Sequence, residues 1–458
     1  MKVIILAGGS GTRLFPLSRK CFPKQFIKID GNKSLLAQTI ARFRTKVSTN
    51  DIVIVTNSDY QFLVKDILAE EKVLDVHIIL EPVGRNTAPA IALAMQYCKE
   101  VLQVRDDEVL FVVPSDHLVR TNEQFVKTVN DAERLAKDGE IVTLGIVPTK
   151  PEIGYGYIQC GEKLAVGNKV KAFKEKPDLK TAEQYMLQGG YYWNAGMFAF
   201  QIKTMEQELQ KYQPNIMGLL KDGYTEAVNK FDAMPSISID YAVAEKSDKM
   251  AVVPFAGYWN DIGSWDALAE ANADNNGNVV DGDVLIENCK NTMALSNGRL
   301  LVAEGLDGVN IVETNDVVYV GKRGNSQSVK KLYEKLQQQN RSEVIENVTM
   351  YRPWGSYTVL AEGEGYKVKK IVVKPGQKLS LQLHHHRSEH WTVVSGVATI
   401  KVDDKLMECQ ANEGTYIPIE SKHRLMNLTD KEVIIIEVQN GKYLGEDDIE
   451  RFDDEYGR

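Results

Sequence analysis

The strongest constraint on this chain is a glycine-rich loop that opens straight off an apolar strand. Val3-Ile4-Ile5-Leu6 runs into Ala7-Gly8-Gly9-Ser10-Gly11-Thr12-Arg13, and the stretch continues through Leu14 and Pro16 to Ser18. Glycines let the backbone approach a phosphate closely and turn successive N–H groups toward it. Two common phosphate loops are excluded. No Gly-Lys-Ser/Thr ending follows, and Leu14 stands where a dinucleotide fingerprint needs its third glycine. Arg13, and Lys24 in Phe22-Pro23-Lys24-Gln25-Phe26, add the fixed positive charge that phosphoryl transfer requires. A tight turn in an ordinary α/β fold would account for the glycines alone. It would not account for Arg13, Pro16, Lys24 and Gln25 in one stretch.

The following segments set the fold class. Asp51 to Thr56, Val109 to Pro114 and Ile141 to Ile146 are short, β-branched and apolar, as parallel strands buried on both faces are. Helical stretches such as Ser34 to Phe43 and Ala88 to Val101 lie between them. The alternation predicts a layered α/β, Rossmann-like domain over residues 1–272. The turn-rich run Ala273-Asp274-Asn275-Asn276-Gly277-Asn278 ends that pattern. Short strand-like pieces with turns at Asn297-Gly298 and Asp307-Gly308 then predict a small all-β, β-helix-like domain. A polar connector helix from Ser326 to Gln339 belongs to this part, residues 273–345. Residues 346–458 are strand-rich with glycine turns, which predicts a sandwich or barrel.

With 458 residues the chain has room for two or three domains. A net charge of -8 leaves no basic excess to neutralise a nucleic-acid backbone. The five cysteines are scattered, odd in number and without a CxxC pair, which argues against a zinc ribbon or a disulfide framework. That usage fits a reducing cytoplasm. The apparent strand beginning at Lys2 leaves no room for a signal peptide. No apolar run approaches the ~20 residues of a membrane span. The expectation is a cytoplasmic protein with no nucleic-acid and no membrane partner, with homo-oligomer formation left open.

The run from Leu6 to Phe26 resembles the signature of the sugar-nucleotide pyrophosphorylases, and its Phe22–Phe26 segment resembles mannose-1-phosphate guanylyltransferases in particular. Further segments match in order: Glu81–Ala94, Val113–His117, Gly154–Gln159, Phe173–Pro177, Tyr191–Phe198 and Trp259–Trp265. The resemblance implies transfer of GMP from GTP to mannose 1-phosphate, giving GDP-mannose and pyrophosphate. A phosphate oxygen with a second pKa of ~6 is already ionised at neutral pH, so no general base is needed. The site must instead align two phosphates and neutralise their charge.

That resemblance makes Arg13, Lys24, Asp116 and Asp261 the catalytic residues, with Asp116 and Asp261 as Mg²⁺ ligands. One or two carboxylates completed by phosphates and water are sufficient for Mg²⁺. The nucleotide is expected against Leu6, Gly8, Gly9, Gly11, Thr12, Arg13 and Lys24, then Glu81, Arg85, Asn86, Thr87, Pro114 and Asp116. Guanine offers two adjacent donors, and the Glu81 carboxylate can accept both. The sugar phosphate is expected against Gly156, Glu175, Lys176, Asn194 and Asp261. Glu175 and Asn194 suit hydroxyls, Lys176 suits the phosphate, and Gly156 admits the sugar ring. Tyr155 and Tyr157 read as packed aromatics.

Near the C-terminal end, Gln382 to Trp391 contains His384, His385 and His386 in strand-rich sequence. Strand alternation places His384 and His386 on one face, a ready pair for a divalent metal. With the later His423 and with Gly396, the spacing resembles the cupin barrel, which implies a metal held by two histidines, an acid and the distant histidine. Either Glu389 or His390 fits as the third ligand, depending on where the offset is counted. Zn²⁺, Co²⁺ and Mn²⁺ are the candidate ions. The region is similar to type II mannose-6-phosphate isomerases, which implies interconversion of mannose 6-phosphate and fructose 6-phosphate. Arg387 is then a candidate for the substrate phosphate or the enediolate oxygen. Val397 departs from the threonine usual there, so a guanylyltransferase with a structural or regulatory cupin stands as the alternative.

Overall fold

The computed structural model describes residues 1–9, 11–29, 33–325 and 328–453. Ser10 of the glycine loop and Ser326 at the expected start of the connector helix lie outside them. The chain divides into two compact units, residues 1–314 with 318–339, and residues 315–317 with 340–458.

In the first unit the apolar runs assemble into a nine-stranded sheet. From one edge its strands are His77–Glu81, Ile52–Asn57, Lys2–Leu6, Val109–Pro114, Tyr191–Gln201, Ile141–Ile146, Met250–Phe255, Asn168–Lys174 and Tyr157–Lys163. The first four run parallel. Alternation sends neighbouring residues to opposite layers. Val3, Ile5, Ile52, Ile54 and Phe111 pack with Leu36, Ile40 and Phe43 of the helix Leu35–Phe43. Ile4, Val53, Val55 and Val112 pack with Ile91 and Met95 of the helix Thr87–Glu100. Ser34 caps the first of these helices, its side chain accepting from the Ala37 N–H at 3.2 Å.

The sheet is mixed rather than all parallel. Tyr191–Gln201 runs antiparallel between Val109–Pro114 and Ile141–Ile146. A continuous apolar run signals burial on both faces, and says nothing about the direction of the neighbouring strand.

After the α/β layers come short strands that coil. Val279–Asp281, Met293–Ser296 and Val309–Glu313 pair in parallel along one face. Val284–Glu287 and Leu301–Glu304 pair in parallel on another. Val318–Lys322 closes the first face antiparallel. This is a short β-helix. The helix Ser328–Gln338 follows.

The second unit is all-β. A six-stranded sheet holds Thr349–Arg352, Gly355–Gly363, Tyr366–Val373, Val433–Gly441, Arg387–Ser395 and Gly414–Ile417. A five-stranded sheet holds Lys405–Cys409, Ala398–Val402, His423–Met426, Leu381–His384 and Ile449–Asp453. Between them Ile371, Trp391, Val393, Ile400, Leu425 and Ile435 form the core. The arrangement is a cupin barrel. No helix among the described residues is long and apolar enough to cross a membrane.

Candidate functional site

In the first unit, Lys2–Leu6 lies between Ile52–Asn57 and Val109–Pro114, so the strand order reverses there. Loops that diverge from such a point leave a crevice at the carboxyl ends of the strands. A cavity of about 610 Å³ opens at that place. Of the residues expected from sequence, Leu6, Gly8, Gly9, Glu81, Asn86, Thr87, Pro114, Asp116, Gly156, Glu175, Lys176, Asn194 and Asp261 line it. Gly11, Thr12, Arg13, Lys24 and Arg85 do not belong to its lining.

Gly11 has φ +56, and a Cβ there would come 2.5 Å from the Lys24 Cβ, so glycine is required on both counts. Its neighbours Thr12–Leu14 form a 3₁₀ turn, and Arg13 is exposed on it. Arg85 donates to the Asp232 carbonyl.

Lys24 is buried and reaches the cavity from behind. Its Nζ lies 2.8 Å from Asp116 Oδ2 and also donates to the Asp261 carbonyl. Burial alone would raise the Asp116 carboxyl, but Lys24 and His117 outweigh it and hold it below the usual range. Lys24 therefore draws the two acidic residues to one place.

At one end of the cavity, Glu81 is buried beside Gly8, and burial pushes its carboxyl up to about 7. At the other end, Asn194 donates to Asp240 Oδ1 at 2.8 Å and accepts from Thr143 Oγ1 at 2.7 Å. Lys176 Nζ lies 2.7 Å from Glu175 Oε1. A Cβ on Gly156 would come 2.5 Å from Glu175 Oε2, so the carboxylate presses against bare backbone.

Asp240, His117 and Trp259 also line the cavity and were not singled out by sequence. His117 and Trp259 stood inside matched segments without an assigned role. Asp240 sits in a one-turn π-helix, Asp240–Ala244, with no local signature. Burial and the neighbouring Glu175 raise its carboxyl to about 6. Tyr155 is more than a packed aromatic, because its hydroxyl donates to Asp261 Oδ1 at 2.8 Å.

In the second unit, His384, Glu389 and His423 converge, their ligand atoms all within 4.8 Å of one another. All three are buried. His384 Nε2 lies 3.0 Å and His423 Nε2 3.6 Å from the two Glu389 oxygens. Among the described residues, neither buried nitrogen of His384 finds a hydrogen-bond partner. His423 Nδ1 lies 3.0 Å from the Ser421 carbonyl, which can only accept, so Nε2 presents its lone pair to the cluster. The Glu389 oxygens also accept from Trp391 Nε1 and Gln439 Nε2, each at 3.0 Å, and two imidazoles with a carboxylate so oriented in a buried place suit a divalent ion. Gln382 is a neighbour that sequence missed, its Nε2 3.5 Å from His423 Nε2. Counting back two from His384 along the strand would have found it.

Two expectations are corrected here. His386 does not share a face with His384. The strand ends at His384 and the next begins at Arg387, so alternation does not carry across the bend, and His386 points out to Asp448 at 2.6 Å. His390 is exposed against Tyr416, because Arg387–Ser395 alternates Glu389 in and His390 out. Arg387 is only 1% exposed, donates to the Gly445 carbonyl at 2.8 Å and lies 3.4 Å from Glu389 Oε1. Arg387 therefore lies against the Glu389 carboxylate of the cluster.

A switch-point cavity with a lysine-bridged acid pair, on a mixed sheet followed by a β-helix, defines a nucleotidyltransferase. A family model described as nucleotidyl transferase matches residues 2–277, and one described as mannose-6-phosphate isomerase C-terminal matches residues 339–454. The chain belongs to the nucleotidyl transferase family and carries the mannose-6-phosphate isomerase C-terminal domain. It is 45% identical to the xanthan biosynthesis protein XanB of Xanthomonas campestris, over 99% of this chain and 98% of that one. It is 43% identical to a mannose-1-phosphate guanylyltransferase of Salmonella montevideo, over 99% of both chains. A solved structure from Thermus thermophilus, titled a mannose-1-phosphate geranyltransferase, has a TM-score of 0.67 and 29% identity, covering 73% of this chain and 99% of that one.

Proposed function

We propose that residues 1–272 transfer GMP from GTP to mannose 1-phosphate, forming GDP-mannose and releasing pyrophosphate. The observation that carries this reading is Lys24 bridging Asp116 and the Asp261 backbone beside a nucleotide-sized cavity. Near-full-length likeness to a guanylyltransferase supports it. A phosphate oxygen of the sugar phosphate attacks the α-phosphorus, a new P–O bond forms, and the α–β bond breaks toward pyrophosphate. Asp116 and Asp261 would hold Mg²⁺, which neutralises charge on the phosphates when bound. Lys24 supplies fixed positive charge, and Arg13 lies on the loop before it. Glu81 accepts from guanine, with Asn86 and Thr87 alongside. Glu175, Asn194 and Lys176 take the sugar phosphate. The test is pyrophosphate release with each of the four common nucleoside triphosphates and mannose 1-phosphate. Preference for GTP is the expected result, and equal use of all four would end the guanine reading.

The same reading assigns residues 346–458 the interconversion of mannose 6-phosphate and fructose 6-phosphate. His384, Glu389 and His423 support it, because they fit Zn²⁺, Co²⁺ or Mn²⁺. Such an ion, when bound, polarises a carbonyl. A second reading, a guanylyltransferase with a structural or regulatory cupin, draws on the enclosure of Arg387. Protein loaded with each ion in turn separates the two. Fructose 6-phosphate formation supports the isomerase, and none with any ion leaves the guanylyltransferase alone.

A further inference from the structure

We infer that Tyr155 is a positioning residue for Asp261, and that the aromatic run around it holds both acidic side chains of the cavity in one frame. The inference rests on reading Asp116 and Asp261 as the pair that holds the metal.

Tyr155 is the residue between the glycines of Gly154-Tyr155-Gly156, so its backbone belongs to the sugar end of the cavity. Its hydroxyl reaches across to Asp261 Oδ1 at 2.8 Å, where the Gly263 N–H also donates at 2.9 Å. Oδ1 is therefore fixed by two donors. Oδ2 receives no hydrogen bond from the described residues and is the oxygen left to meet a cation. A ring that only filled space would need no hydroxyl. This one makes a charge-assisted bond in a half-buried place.

The ring itself is wedged edge-on between two indoles, with centroids 5.2 Å from Trp193 and 5.1 Å from Trp259. Trp259 carries the run onward. Its ring meets the His117 imidazole edge-on at 5.4 Å, and its Nε1–H donates to His117 Nδ1 at 3.2 Å. Since Nδ1 accepts, the imidazole proton sits on Nε2, which faces Asp116 Oδ1 at 3.9 Å. One end of the run thus bonds to Asp261, and the other end turns an N–H toward Asp116. Close-packed rings have few alternative arrangements. The separation of the two carboxylates is therefore set by this aromatic packing as well as by Lys24.

The test uses Mn²⁺ in place of Mg²⁺ with the full chain and GTP, without sugar phosphate, so that no turnover occurs. Water-proton relaxation reports enzyme-bound Mn²⁺, and only the component that requires GTP is read, which sets aside the C-terminal cluster. Asp261→Asn is expected to abolish that component. Tyr155→Phe, which keeps every ring contact, is expected to weaken it about tenfold, the usual scale for a group behind a metal ligand. Its thermal midpoint should stay near wild type, and its kcat should recover at saturating Mg²⁺. An unchanged Mn²⁺ midpoint in Tyr155→Phe, with the component lost in Asp261→Asn, overturns the positioning role. An unchanged component in Asp261→Asn overturns the metal reading beneath it.

Discussion

Lys24 Nζ lies 2.8 Å from Asp116 Oδ2, which ties the segment after the glycine loop to the end of the strand Val109–Pro114. The pair is made where the sheet reverses its strand order, and Asp116 lines the cavity there.

Lys24→Met removes the charge and leaves Asp116 with burial as its main influence. The Asp116 carboxyl then rises, and the Asp261 carbonyl loses its donor. Turnover should fall by about 100-fold or more, the range seen when one preorganised charge or donor is removed. Steady-state pyrophosphate release measures it. A loss below about threefold would show that Lys24 is not in the charge-neutralising set.

Glu81 carries a pH signature. Its folded carboxyl titrates at about 7, above the ordinary 4.5, so the fold favours the neutral form. That contribution to stability is present at low pH and is lost as pH rises through about 7. Binding has the opposite sign, because only the ionised carboxylate accepts both guanine donors. The KM for GTP should fall as pH rises from about 6 to about 8, and Glu81→Gln should flatten the slope. A slope that persists in Glu81→Gln assigns the titration elsewhere.

Gly156→Ala places a methyl where Glu175 Oε2 stands, 2.5 Å away. Glu175 must shift, and a displacement on the order of 1 Å costs about 100-fold in a positioned site. The loss should appear in kcat/KM for mannose 1-phosphate, while GTP binding measured by calorimetry stays within about twofold. Equal damage to both substrates would mean the loop collapses as a whole.

The C-terminal cluster should bind about one divalent ion per chain, as a site with two histidines and a carboxylate does. Chelation or His384→Ala should remove that ion, which elemental analysis can count. Because ligand binding to the native state adds to its stability, the melting midpoint of the metal-loaded protein should drop on chelation. Guanylyl transfer, assayed with Mg²⁺ restored, should be retained in His384→Ala. His390→Ala should keep the ion, since His390 faces solvent.

Much of the fold was legible because local pattern encodes burial. Val3-Ile4-Ile5-Leu6 and Val109–Pro114 read as doubly buried strands, and Ser34 stands at the start of the helix it caps. The site was legible at Asp116, Glu81 and Glu175 because they sit in dense local motifs. Asp240 was not, since it enters the cavity from a π-helix with no motif around it. Nor was the antiparallel insertion of Tyr191–Gln201, because strand direction depends on how the chain crosses over.

By itself the sequence determined a glycine-rich loop after the first strand, the order of α/β, β-helix and barrel segments, and a short roll of chemical groups. Tertiary structure alone decided which of those groups meet. Periodicity says which face a residue takes within one strand, so it separates Glu389 from His390 only once the strand is known to begin at Arg387. It fails across the bend at His385 and His386, where the face is reset. The pairing of Lys24 with Asp116, and of Tyr155 with Asp261, depends on loops from distant strands converging at one end of a sheet. Long-range packing sets such distances, and no window of sequence contains both partners.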